Sequence, residues 1–460
     1  MSLFVKLNVV RGDKMNTVFI VLTVSIALSY GWGMRGSLMG VEKGAMLPGA
    51  LLGMFLALFS GSEIIARNFY IFAAVGAISM AFGGCETYGE TLSFILHKGR
   101  EEYAPKKGYA GVILKGSVWH GICGGFLGLM FSAAGGVYYK PVEIIIFIAL
   151  IPLIRDIGTR IFNEPFNAEK GKFPKLYFSM ERREEWGGLL LTVVALLVFT
   201  ALHKDFYAFF FTVTGILGGG LGFSLGMVFF CIIAHPNKKG KKFLGTLNDK
   251  LEGWKTMEFT FGATGGLFFA VYFVATKNTM LAERINMIEQ NGGIWSPLGD
   301  IENVLVLVSF VLVFLSKLLF IPKFKLSEYA TDLAERPFLF VFPLLLTLLG
   351  STENAKLVAF TYLVYYAAEK VIFDRSPKCG KKRRIIISVV MGVLTLASLA
   401  LQIFFELPPI AYILMYTVFY IFADNITEKR RRKSGVTVFM YFVIQSLYII
   451  SVVAFCDFGI

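Results

Sequence analysis

The sequence predicts an all-α protein, a polytopic integral membrane helical bundle of about 13–14 transmembrane helices. Three observations lead there. First, the 460 residues are 56% hydrophobic and 17% charged, with mean hydropathy +0.66; an ordinary soluble domain is about 25% charged. Second, Gly occurs 47 times and Phe 46 times, a pairing expected where helices pack closely in lipid. Third, Lys and Arg alternate between rich and poor connections along the chain. The same composition excludes disordered, collagen-like and disulfide-scaffold chains.

About 20 apolar residues cross a hydrocarbon core as a helix. With that ruler the candidate spans are 17–33, 44–60, 69–86, 109–134, 142–155, 187–203, 207–234, 257–276, 301–321, 337–350, 355–373, 385–404, 409–424 and 435–456. The segments 142–155, 337–350 and 409–424 are the short ones. Six connections (87–108, 155–186, 235–256, 322–336, 374–384 and 425–434) hold 31 Lys and Arg, and the alternate connections hold 6 (Arg67, Lys140, Lys204, Lys277, Arg284 and Lys356). One miscounted span would break that alternation, so it supports the short spans as well. Basic loops mark the cytoplasmic side, which puts the C-terminus outside. Lys6, Arg11 and Lys14 before the first run oppose this sidedness at the N-terminus. Three accounts remain open there: incomplete crossing, a first helix forced by later ones, or a signal peptide. Net charge of +13 is then a topological excess and not a nucleic-acid surface.

The chain divides by texture. Residues 1–276 form a Gly-rich functional core, 277–300 an outer polar loop, and 301–460 ordinary apolar scaffold helices. Within the core, 44–134 and 187–276 show weak self-similarity at an offset of about 142, with Gly121-x-x-Gly124-Gly125 matching Gly262-x-x-Gly265-Gly266. Repeats of this kind in transporters place the working site at their interface. If 142–155 spans, the unit is four helices and the copies run parallel; if it does not, they are inverted.

Ionisable residues inside apolar segments cost at least about 2.5–3.5 kcal/mol at mid-bilayer and so mark function. In Tyr30-Gly-Trp32-Gly-Met-Arg35-Gly36 a cation sits among glycines, a poor straight helix suited to a ligand-lining segment. Glu42 follows it. Glu86 and Glu90 lie four apart, on one helical face, where two carboxylates can share a proton. Lys115, Trp119 and His120 form a polar stripe on 109–134, and a buried His can relay protons. Glu185 and Glu258 open the helices at 187 and 257 beside Trp186 and Trp254. The topology brings all of these to one membrane face. The expected assignment is substrate binding by Arg35, Trp32, Lys115, Glu42, Glu185 and Glu258, and proton coupling by Glu86, Glu90 and His120. Headgroup anchoring, a solvated helix end and a hydrogen-bonded core histidine are the structural alternatives for these groups.

The spacing of Cys85, Cys123, His120 and Glu86 demands no metal, and no cofactor is expected. The five Cys contain no CxxC pair and read as small core residues. The GxxxxGK[ST], HExxH and GxSxG signatures are absent. The expected function is secondary transport of a small polar or anionic solute, proton-coupled, with membrane lipids as surroundings. The alternative is an integral membrane transferase acting on a lipid-linked or cytosolic substrate, with Glu86 or His120 as base.

Overall fold

The computed structural model describes residues 13–35, 43–84, 88–99, 101, 103–234 and 252–292, and every regular element among them is a helix. In order these are α1 (Asp13–Met34), a 3-10 turn (Lys43–Ala45), α2 (Met46–Leu58), α3 (Glu63–Arg67), α4 (Phe69–Gly83), α5 (Gly89–Leu96), α6 (Pro105–Ala133), α7 (Pro141–Phe162), α8 (Trp186–Leu202), α9 (Phe206–Ala234), α10 (Gly253–Thr276) and α11 (Met280–Gln290). By length and composition α6, α9 and α10 can cross a membrane, while α1, α2, α4 and α8 contain shorter apolar stretches. The six expected spans between 301 and 456 lie outside the described residues.

Two helices outrun the apolar runs that announced them. The run 142–155 is the first half of α7, which continues to Phe162. Its charges are accommodated: Asp156 pairs with Arg160 one turn on, and Arg155 turns inward to Glu185. α6 begins at Pro105, four residues before the expected span, because proline suits the first helical turn. The expected polar loop 277–300 contains α11, whose Leu281, Arg284 and Ile288 are buried on one face.

Six helices pack as a ring in the order α6, α9, α10, α1, α2, α4 and back to α6; α8 packs on α6 and α9, and α7 on α8. Ring neighbours run antiparallel. Gly116 meets Gly219 and Gly124 meets Phe211 across α6 and α9; Gly226 faces Met257 and Gly222 faces Phe261 across α9 and α10. The α2–α4 and α6–α9 seams are both close. A Cβ on Gly219 would overlap the carbonyl oxygen of Gly116, so the two backbones touch directly. Small residues allow that approach, which brings dispersion and Cα–H···O contacts into range. The helices of the two similar segments run in matching senses: α2 with α8, α4 with α9, and α6 with α10. α4 has 15 residues and α9 has 29.

The ring encloses aromatic side chains. Trp32, Trp119, Phe126, Phe223, Phe261 and Phe269 are all buried. Apolar side chains also face outward, including Leu217, Leu221 and Leu225 on α9 and Ile146, Leu150 and Ile157 on α7. An apolar exterior around an aromatic, polar-seeded interior is the pattern expected of helices bathed in lipid.

Candidate functional site

Alternating helix direction gathers the ends of α1, α4, α6, α8 and α10 at one end of the bundle, together with the start of α5. Arg35 follows the last residue of α1 and is 1% exposed. A cation is favoured at a helix C-terminus. Its guanidinium carbon lies 5.3 Å from the Trp32 ring centroid, 5.0 Å from Tyr88 and 5.2 Å from Trp119. Desolvated contacts of this kind are worth about 2 kcal/mol or more each. Its Nη2 reaches the Gly84 carbonyl at 3.4 Å, and Nε has no hydrogen-bond partner among the described residues.

The polar tips of the three rings differ. The Tyr88 hydroxyl donates to Glu258 Oε1 at 2.7 Å. The Trp32 indole N–H donates to His120 Nε2 at 3.0 Å. The Trp119 indole N–H is buried without a partner among the described residues. Glu258 accepts further from Trp254 Nε1 at 3.0 Å and Lys255 Nζ at 2.8 Å, and Lys255 also donates to the Gly33 carbonyl. His120 stacks on Phe261, with centroids 4.4 Å apart and planes 3° apart, beside Gly265 on α10. A side chain at Gly265 would collide with the imidazole. Because Nε2 accepts from Trp32, the neutral ring carries its proton on Nδ1, which has no partner among the described residues either.

A second group closes the same end. Lys115 Nζ meets Glu184 Oε1 and Thr91 Oγ1, each at 2.9 Å, and the first contact is a buried ion pair. Glu184 Oε2 accepts the Phe178 amide at 2.6 Å. Arg155 pairs with Glu185, and the Gly187 amide donates to Asn163 Oδ1 at 2.8 Å. These contacts dock the chain between α7 and α8 onto α5 and α6.

Glu90 holds the same segment from α5. It accepts from the Ser179 hydroxyl and from the Met180 and Glu181 amides, and it pairs with Arg182 at 3.1 Å. Burial pushes its carboxyl pKa up, but Ser179, the two amides and Arg182 together outweigh burial and hold it below the ordinary glutamate value of 4.5. A depressed carboxylate pKa stabilises above the unfolded value and loses that contribution as pH falls through the folded one. Amide exchange at Met180 and Glu181, corrected for intrinsic rates, should therefore lose protection as pH drops below about 4.5. Glu90→Gln should lower protection at neutral pH and flatten the acid dependence. Equal profiles in the two proteins would show that the carboxylate does not anchor this segment.

The sequence-predicted residues thus divide. Trp32, Arg35, His120 and Glu258 come together around the aromatic cluster. Lys115, Glu185 and Glu90 serve the docked segment beside it. Glu42 and Glu86 lie outside the described residues. Tyr88, Trp119 and Trp254 complete the cluster; they stood in the same motifs as the charged groups, but nothing in the sequence distinguished them from interfacial anchors.

The opposite end holds a network that hydropathy hid. Asp205 and Arg284, both buried, pair at 2.8 Å. Arg284 also donates to Ser132 Oγ at 2.8 Å and to the Met280 carbonyl at 2.6 Å. Asp205 accepts from the Tyr139 hydroxyl at 2.7 Å and from the Ala208 amide at 3.2 Å, capping α9. The network ties α11 to α6 and α9. An Asp between two apolar runs and an Arg on the apolar face of a short amphipathic segment were its only sequence signals.

No protein-family model, curated protein or solved structure matches the chain.

Proposed function

We propose that the chain is a multi-pass membrane transporter of about 13–14 spans, with its basic loops cytoplasmic and its C-terminus outside, and that Arg35 binds a small anionic solute. One observation carries the reading. Among the described residues, Arg35 Nε, Trp119 Nε1 and His120 Nδ1 are buried without partners, all three are donors in the neutral-histidine state, and all belong to one aromatic cluster. Buried donors are normally satisfied. Orphans of one polarity around a cation call for an acceptor that carries negative charge. The site lies on the side where the sequence places cytoplasmic loops, beside Gly-rich segments of the kind that line transporter sites.

Proton coupling is part of this proposal, with Glu86 as its main carrier, since Glu90 is held ionised by the docked segment. The rival transferase reading, with Glu86 or His120 as base, finds less support at His120, whose Nε2 lone pair is engaged by Trp32.

Arg35→Lys tests the site. Lysine keeps the charge and loses the planar fork. Losing one charge-assisted contact of 1.5–3 kcal/mol should lower uptake of labelled small anions into proteoliposomes by about tenfold to a hundredfold at sub-saturating concentration. Arg67→Lys is the control. Arg67 is exposed at the opposite end, paired with Glu63 at 2.6 Å, and its replacement should change nothing. Equal uptake by both variants would remove Arg35 from the site.

A further inference from the structure

We infer that the Arg35 site takes a carboxylate monoanion with an apolar body, such as an aryl or alkyl carboxylic acid, in preference to phosphate or sulfate. This rests on the proposed anion-binding role of Arg35 and specifies its ligand.

The inference starts from which donors are committed. Of the three rings around the guanidinium, Tyr88 gives its hydroxyl to Glu258 and Trp32 gives its N–H to His120. Only the Trp119 N–H is left. On Arg35 itself, Nε has no partner among the described residues, and the Nη2 contact to Gly84, at 3.4 Å, is longer than a normal hydrogen bond. Nε and Nη2 form one edge of the planar fork. That edge presents two parallel N–H groups and fits the two oxygens of a carboxylate. The Trp119 indole, on a ring centred 5.2 Å from the guanidinium carbon, supplies a third donor to the same neighbourhood.

Charge and surroundings separate carboxylate from phosphate, which can also be held bidentately. The nearby cation Lys255 is committed to Glu258 and to the Gly33 carbonyl. Arg35 therefore offers a single positive charge, which a monoanion neutralises. A dianion would leave excess charge in a buried setting, where uncompensated charge is costly. The surroundings are Trp32, Trp119, Phe223 and Phe261, packed on one another with ring centroids 4.5–6.0 Å apart. Apolar surroundings of this kind favour an apolar substituent over a hydration shell.

Calorimetric titration of the full-length protein in nanodiscs tests this with four probes: benzoate, acetate, inorganic phosphate and benzamide. Benzoate should bind most tightly, acetate about tenfold or more weaker for want of the ring, and phosphate and uncharged benzamide weaker still. Arg35→Lys should weaken benzoate by about tenfold or more. Trp119→Phe keeps an aromatic ring and removes one donor, so it should weaken benzoate severalfold with unchanged thermal stability. That variant keeps the test decisive should Arg35→Lys fold poorly. Phosphate binding more tightly than benzoate, and dependent on Arg35, would overturn the carboxylate assignment and leave the anion site standing. Acetate equal to benzoate would remove the apolar body. Benzamide equal to benzoate would remove the charge requirement. No Arg35-dependent binding of any anion would overturn the anion site as well.

Discussion

Replacing Gly219 with leucine should abolish the folded protein, and alanine at the same position should already destabilise it. A Cβ there overlaps the Gly116 carbonyl oxygen and lies 2.9 Å from His120 Cβ. The first obstacle is backbone, so relief requires α6 and α9 to separate. That separation loosens the seam holding His120 and Trp119 against α10 and α1. Overpacking of this kind costs about 1–3 kcal/mol for small additions and more when backbone must move. The higher helix propensity of alanine returns up to about 1 kcal/mol. Gly219→Ala should therefore lower the unfolding midpoint moderately, and Gly219→Leu should remove the monodisperse peak in detergent chromatography. Gly89→Ala is the matched control, because its Cβ would meet only the edge of Trp254 at 4.0 Å. Equal midpoints for Gly219→Ala and Gly89→Ala would mean that the α6–α9 contact is looser than described.

The second large effect lies at the opposite end. Asp205→Ala should cost about 3–5 kcal/mol, because it strands the buried Arg284 guanidinium. It also removes the cap of α9 and the acceptor of Tyr139. Arg284→Met should cost a similar amount by stranding Asp205. The double variant Asp205→Leu/Arg284→Met should be less damaging than the sum of the two single changes, since neither charge is then left alone. Thermal unfolding in matched lipid–detergent mixtures checks this. Additive losses would show that the two residues stabilise the protein independently.

Much of the helical architecture was readable before any coordinates. Eight of the described helices fall on expected apolar runs, because a lipid-facing helix must be apolar over most of its length. The boundaries were less legible. α7 extends past its apolar run because Arg155, Asp156 and Arg160 find partners, and pairing partners are invisible to hydropathy. α11 was hidden inside a polar loop because one buried face of three residues makes a weak periodic signal. The functional residues were legible as types and not as an arrangement. Arg35 stood out as a cation among glycines. That its neighbours are Tyr88 and Trp119, that Glu90 holds a distant segment, and that Lys115 pairs with Glu184 depend on approaches between residues 53 to 91 positions apart.

The sequence by itself determined the helical class of the described residues and the apolar runs, three of them in helices long enough to cross a membrane. Those follow from composition and period, which act residue by residue. Only the tertiary structure decided which polar groups are satisfied and which are left over. Satisfaction is a property of pairs, and the pairs are made by glycine seams such as Gly116–Gly219 that set helix spacing and so choose which side chains meet. At one end that choice closes Asp205 onto Arg284. At the other, among the described residues, it leaves Arg35 Nε and the Trp119 N–H without partners, while the polar tips of Trp32 and Tyr88 are bound to His120 and Glu258.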